Sequence, residues 1–366
     1  MILPTIPHLR SEWVAARAFA AWPRVPSLKL GARIGPPHRT TSVSHPAARD
    51  GAACACLVPA AYSGGQSGTL ARNGSCGDNE AMEPVSHEIT HVSDTALMTA
   101  ACRALETERS DGLIRDPFAA RLAGERGMTI ARNLARLDRM CFGVGVRSYF
   151  LDKLVRKCVA ANGVTTVINM GAGLDTRPWR LKLPASLRWI EVDFPAILDY
   201  KDSVLAGTAP RCRRERMDAD LSSEAGRARV FAEAAGAPTL AITEGLLMYL
   251  PGETVEALAE GANWKYWALD VSSPALVDRV GRETYKDFQG VRSPGHLDGL
   301  ETMDVLRRHG WNTLRHLAYG RDALWAAPMR ILRMIRSRPK GQKYEPPPPG
   351  DPSGIHLLGR RPGSAV

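Results

Sequence analysis

Val164 to Met170 (Val-Thr-Thr-Val-Ile-Asn-Met) is a β-branched, apolar run that ends abruptly on glycine. The next residues are Gly171-Ala172-Gly173-Leu174-Asp175-Thr176-Arg177. Such a run suits a strand covered on both faces. Two glycines one residue apart let the chain turn tightly and bring backbone against a ligand. Further strands are expected at Leu187 to Val192, Leu240 to Thr243, Trp267 to Val271, Trp311 to Leu317 and Ile355 to Leu358, with a helix from Met303 to His309. Strands alternating with helices predict an α/β fold, a mostly parallel twisted sheet with helices on both faces. In open sheets of this kind the ligand crevice lies at the carboxyl ends of the strands, where the strand order reverses.

Ahead of the first strand the pattern is helical. Ser93-Asp94 is a plausible cap for a helix through Glu106, and Asp116-Pro117 opens a second, with proline suited to a first turn. A third runs from Val146 to Ala160. Its apolar residues Phe150, Leu151, Leu154, Val155, Cys158 and Val159 form one stripe. Asn162-Gly163 stops it.

The termini differ in composition. Residues 1–85 are rich in Ala, Pro, Arg, Gly and Ser without a sustained period, and are expected to be a disordered extension. They are Arg-rich and acid-poor like a transit peptide but lack a continuous apolar core, and Met82 is an alternative start. A domain is expected over 86–337, with helices over about 93–160 and an α/β core over about 161–337. A Pro-rich linker is expected at 338–353 and a last strand at 354–361.

The net charge of +10 sits at the ends. Residues 1–81 hold 8 Lys/Arg against 4 Asp/Glu and residues 331–366 hold 7 against 2, leaving 33 against 32 in between. A nucleic-acid binder carries its basic surface on the folded domain, so no nucleic-acid partner is expected. No apolar stretch approaches the length of a transmembrane helix, and no membrane partner is expected. The seven cysteines form no CxxC pair and none sits near a histidine at zinc-ligand spacing. They read as reduced core residues in a cytoplasmic protein, with no metal.

The glycine turn alone is weak evidence, since any tight strand-to-helix turn can use GxG. A second signal strengthens it. Asp193 ends the second expected strand, 20 residues after Gly173, where an acid takes the ribose hydroxyls of dinucleotide or adenosyl ligands. The third glycine of a dinucleotide fingerprint is absent: Thr176 stands there, followed by bulky Arg177. A pyrophosphate needs close approach to a helix N-terminus, whereas S-adenosyl-L-methionine carries no phosphate. The turn therefore leans to a methyl donor over a hydride carrier.

Taken together, Gly171 to Arg177, Arg180-Leu181, Glu191-Val192-Asp193-Phe194-Pro195 and Lys201 resemble the leucine carboxyl methyltransferase family, in particular its bacterial branch of class I S-adenosyl-L-methionine-dependent O-methyltransferases. Thr95 to Pro117, Arg147 to Asp152 and Glu244 to Leu250 resemble further blocks of that family, in the right order over residues 93–330. The resemblance implies a Rossmann-like class I methyltransferase fold with an N-terminal helical lid. It implies that Gly171, with Gly173 in the same turn, approaches the donor's methionine portion and that Asp193 binds its ribose. Asp220 and Leu221 would hold the adenine, and Arg147 would pair with the donor's carboxylate. Glu244 would lie beside its amino group, and Arg103 would be a second basic contact from the lid.

Each residue has a plainer reading. Asp193 could cap a turn, Arg147 could pair with Asp152 at the surface, and Asp220 or Asp218 could cap a helix beginning near Ser222. Glu244 follows an apolar strand, where an acid is costly unless paired. The expected reaction is methyl transfer to a carboxylate or hydroxyl, on a small molecule or a protein C-terminus. A carboxylate is already ionised at pH 7 and needs no base. For a phenol or enol, Tyr249, Glu244, His296 and His309 are candidates, though His309 suits a helix C-terminus, and no catalytic residue is assigned. The alternatives are an NAD(P)-dependent oxidoreductase and a donor-binding module without turnover.

Overall fold

The computed structural model describes residues 92–134, 136–280, 295–337 and 348–360, all within the unit Asp78–Val366. The extension expected over 1–85 and most of the expected linker lie outside the described residues.

Three helices come first: α1 (Val92–Glu108), α2 (Ala119–Arg132) and α3 (Leu137–Ala161). α2 follows directly on Asp116-Pro117, as expected, with Ala119 N donating to the carbonyl of Asp116 at 3.2 Å. Its carboxylate accepts hydrogen bonds from Arg103, Thr176 and the Phe118 amide. α3 starts well before Val146, and its first turns bury Cys141, Phe142 and Val144. Gly163, with φ +70°, follows its end.

The core then alternates: β1 (Thr166–Met170), α4 (Arg177–Arg180), β2 (Arg188–Asp193), α5 (Pro195–Val204), β3 (Arg213–Asp218), α6 (Glu224–Ala234), β4 (Thr239–Thr243), α7 (Gly252–Gly261), β5 (Tyr266–Val271), α8 (Pro274–Val280), α9 (Gly299–Arg308), β6 (Trp311–Ala318), α10 (Arg321–Ala326), α11 (Pro328–Arg336) and β7 (Gly354–Arg360). The sheet order is β3-β2-β1-β4-β5-β7-β6. The first five strands pair in parallel, and β7 runs antiparallel to both β5 and β6. This is a doubly wound, Rossmann-like arrangement with an antiparallel pair added at one edge. The chain crosses from one half of the sheet to the other between β1 and β4, so the strand order reverses at the end of β1.

β1 and β4 are buried along their whole length, which is why both read as unbroken apolar or β-branched runs. One face of the sheet packs Ile168, Met170, Ile190 and Val192 against α6, α7 and α9. There Trp267 meets the edges of Trp264 and Trp311, with ring centroids 5.1 and 5.3 Å apart. On the other face α3 lays Leu151, Leu154, Val155 and Cys158 over Val167, Trp189 and Ile242. Cys158 and Cys212 are free thiols buried among these residues, and Cys102 and Cys141 are free thiols buried with Met98, Ile130 and Val144 among the first three helices.

β3 (Arg-Arg-Glu-Arg-Met-Asp) has no apolar alternation, and sequence patterning does not predict it. It is an edge strand whose charges pair sideways: Arg214 with Glu191 and Asp202, Arg216 with Asp199 and Asp218. Inside it lies a buried ion pair, Lys201 Nζ 3.0 Å from Glu191 Oε1. Burial pushes the Glu191 carboxyl up, while Lys201 and Arg214 oppose that shift. Among the described residues no helix is long and apolar enough to cross a membrane.

Candidate active site at the glycine turn

Gly171 and Gly173 both adopt left-handed backbone, with φ +62° and +45°. A Cβ on Gly171 would lie 2.9 Å from Leu246 Cδ1, so position 171 demands glycine for both conformation and space. The turn is fastened to β2 at two points. Ala172 N donates to Val192 O at 3.1 Å, and Gly173 N donates to Asp193 Oδ2 at 2.6 Å. The other oxygen of Asp193 accepts from its neighbour Phe194 N at 2.8 Å. Burial pushes the Asp193 carboxyl up, against the two amides. Each carboxylate oxygen keeps a lone pair for a further donor.

Beneath the turn lies a connected set of buried charges. Asp175 bonds Asn169 Nδ2 at 2.9 Å and Arg177 Nη1 at 2.8 Å, and also caps the Arg177 amide. Arg177 is almost wholly buried; its Nε reaches Asp152 at 2.8 Å and its Nη1 reaches Glu244 Oε2 at 2.7 Å. Arg180 grips the same Asp152 through both terminal nitrogens. The other Glu244 oxygen takes Arg147 Nε at 2.8 Å, and Arg147 Nη1 stands 3.6 Å from Asp270 Oδ2. Asp270 also accepts from Gly245 N at 2.6 Å.

Arg103 closes the far side. Its Nε pairs with Asp116 at 2.9 Å and its Nη2 donates to Leu174 O at 2.6 Å. Thr176 Oγ1 donates to the same Asp116 oxygen at 2.7 Å.

Burial works to raise the Glu244 carboxyl, but Arg177 and Arg147 outweigh it and hold Glu244 below its ordinary value. The same contest, with Arg177 dominant among the cations, brings Asp175 down to about 2. For Asp270 burial wins over Arg147 and the carboxyl is pushed up. Four guanidiniums (Arg103, Arg147, Arg177, Arg180) face five carboxylates (Asp116, Asp152, Asp175, Glu244, Asp270). With all of them ionised, four against five leaves the buried network one negative charge in excess, and Asp193 beside the turn adds a further carboxylate.

Among the residues singled out from sequence, Gly171, Gly173, Asp193, Glu244 and Arg147 come together around the carboxyl ends of β1, β2 and β4. Arg147 does not form the surface pair with Asp152; Asp152 belongs to Arg177 and Arg180. The Arg103 guanidinium is committed to Asp116 and to the Leu174 carbonyl. Asp220 follows β3, and its carboxylate bonds the amide and hydroxyl of Ser222. The cap of α6 is Ser223, whose hydroxyl accepts from Gly226 N at 3.0 Å. Leu221 is buried in the core below. His309 is the C-cap of α9, with Nε2 3.5 Å from Glu256 Oε1.

Arg177, Arg180, Asp152, Asp175 and Asp270 are given no site role by the sequence reading. Asp270 leaves a trace in the sequence, as a lone acid in the apolar strand Tyr-Trp-Ala-Leu-Asp-Val. α4 is only four residues long, and its first amide is taken by Asp175, so the turn offers no helix N-terminus to a pyrophosphate.

Residues 96–262 match the model of the leucine carboxyl methyltransferase family. A protein of Streptomyces avermitilis, provisionally named an S-adenosyl-L-methionine-dependent methyltransferase, is 32% identical over 270 residues, covering 68% of this chain and 92% of its own. A Mycobacterium bovis protein of the same provisional name is 38% identical over 184 residues, covering 46% of this chain and 59% of its own. Among solved structures, a provisionally named methyltransferase of Thermobifida fusca overlays with a TM-score of 0.43 at 15% identity, covering 73% of this chain and 94% of that one.

Proposed function

The chain belongs to the leucine carboxyl methyltransferase family, and from that premise we propose that it transfers a methyl group from S-adenosyl-L-methionine to a carboxylate oxygen of its acceptor. The enzyme is an S-adenosyl-L-methionine-dependent methyltransferase. The acceptor class, a small molecule or a protein C-terminus, is our reading.

The observation that carries the donor assignment is the charge pattern at the glycine turn. The donor bears a sulfonium, an ammonium and a carboxylate, a net of one positive charge, and the buried network beneath the turn, with Asp193 beside it, carries an excess of negative charge. The chemical pieces match as well. Arg147 has its Nε committed to Glu244 and its Nη1 facing Asp270, and keeps Nη2 for a carboxylate. Glu244, ionised between two guanidiniums, attracts an ammonium. Asp193 has acceptor capacity for ribose hydroxyls beside the turn. Gly171 and Gly173 supply the left-handed backbone that brings the turn against that carboxylate. Asp220 and Leu221 at the end of β3 would flank the base.

When bound, the donor supplies an electrophilic methyl on a sulfonium. The protein's part is to orient the two reactants and exclude water. A carboxylate acceptor is favoured because a hydroxyl would need a base. Glu244 is a poor one: two guanidiniums hold its carboxyl low and occupy both oxygens. A carboxylate arrives already ionised.

The test is mass spectrometry of cell extract incubated with the enzyme and trideuteromethyl donor. A labelled product that mild alkali hydrolyses is a carboxyl ester and supports the reading. A labelled product stable to alkali would replace it with an ether or N-methyl acceptor.

A further inference from the structure

Asp270 is set apart from the other acids of the buried network by its place. It stands near the carboxyl end of β5, in the otherwise apolar strand Tyr-Trp-Ala-Leu-Asp-Val, one strand further from the glycine turn than Glu244. Its side chain is only 8% exposed. A carboxylate held there is costly unless its charge is used.

The two oxygens of Asp270 have different tasks. Oδ1 accepts from Gly245 N at 2.6 Å and ties the segment after β4 to β5. Any neutral oxygen could accept that bond. Oδ2 faces Arg147 Nη1 at 3.6 Å. That separation is longer than a hydrogen bond, so on this side Asp270 acts on the guanidinium through charge.

Arg147 is held on three sides. Glu244 Oε1 takes its Nε at 2.8 Å and Asp270 faces its Nη1. Gly245 lies against the same guanidinium: a Cβ there would stand 3.2 Å from Nη1 and 3.7 Å from Nη2. Glu244 is shared with Arg177, so its hold on Arg147 is divided. One contact at Nε fixes a point, whereas a second charge at Nη1 fixes the direction in which the planar fork presents Nη2.

We propose that Asp270 is a positioning residue for the amino-acid end of the donor: its charge directs Arg147 Nη2 to the donor carboxylate and makes the site selective for adenosyl ligands that carry an amino acid over those that lack one. The proposal rests on the donor reading given above. The plainer role for Asp270 is the tie to Gly245 alone. The two roles separate, because the tie needs an oxygen and the direction of Arg147 needs a charge. Asp270→Asn keeps an oxygen for Gly245 N and removes the charge.

The experiment is isothermal titration of the full chain, wild type and Asp270→Asn, with S-adenosylhomocysteine and with 5′-methylthioadenosine, which keeps the nucleoside and thioether but has no amino acid. Circular dichroism checks that the variant folds; if it does not, Asp270→Ser takes its place. The variant is expected to bind S-adenosylhomocysteine at least about fivefold more weakly and 5′-methylthioadenosine within about twofold of wild type. An equal fall for both ligands, or a fall for neither, overturns the proposal. A mutant cycle decides the same point where the truncated ligand binds too weakly for calorimetry. In an Arg147→Met background, Asp270→Asn is expected to change S-adenosylhomocysteine affinity by less than about twofold, and a full multiplicative loss would mean that Asp270 acts without Arg147 and overturn the proposal. Wild type that binds neither ligand would overturn the donor reading itself, and this proposal with it.

Discussion

Arg177 Nη1 stands 2.7 Å from Glu244 Oε2 while Arg147 Nε stands 2.8 Å from Glu244 Oε1, so one carboxylate joins α3 to the turn after β1. Removing the buried member of this arrangement should have two effects. Arg177→Met leaves Glu244, Asp175 and Asp152 each short of a cation. It should cost about 3–5 kcal/mol of stability, read by urea denaturation. It also frees burial to raise the Glu244 carboxyl. Calorimetry with S-adenosylhomocysteine should then show affinity that weakens as pH falls towards 6, where wild type stays flat. A flat profile in the variant would remove Arg177 from the positioning of Glu244.

Asp193 should trade stability against binding. Burial raises its folded-state pKa, so its ionised form is disfavoured in the fold and costs stability above that pKa. Asp193→Asn removes the charge and can still accept from Gly173 N. It is expected to melt no lower than wild type at pH 7 while losing at least about tenfold in donor affinity. A lower melting temperature with unchanged affinity would make Asp193 a structural residue.

Acid stability follows Asp175. Its pKa is lowered to about 2, so its stabilising contribution is present above the unfolded-state value near 4 and disappears as pH falls towards 2. Urea midpoints between pH 5 and pH 2 should therefore drop steeply in wild type. Asp175→Asn should start less stable and drop less over the same window.

Lys201→Met tests the ion pair buried under β2 and α5. It leaves fully buried Glu191 with Arg214 as its remaining cationic partner. A loss of up to about 3–5 kcal/mol is expected, the range for breaking a buried pair. The double substitution Lys201→Met with Glu191→Gln should recover part of it.

The strands that could be read from sequence are those whose environment is simple. β1 and β4 are buried on both faces, and their apolar runs match the structure to within about two residues, as boundary reading allows. β3 could not be read because its partners are lateral: Arg214 and Arg216 find Glu191, Asp199 and Asp202 only once the sheet and α5 are assembled. At the site, Gly171, Gly173 and Asp193 announce themselves by type and spacing. Arg177 does not, because an arginine after a tight turn looks solvated until three carboxylates from three elements close on it.

The most direct measurement is isothermal titration of the wild-type chain with S-adenosylhomocysteine, paired with thermal melting. The expected result is saturable heat at one site per chain and a melting temperature that rises with ligand concentration. A folded sample that gives neither heat nor a melting shift would contradict the placement of an adenosyl donor at the glycine turn.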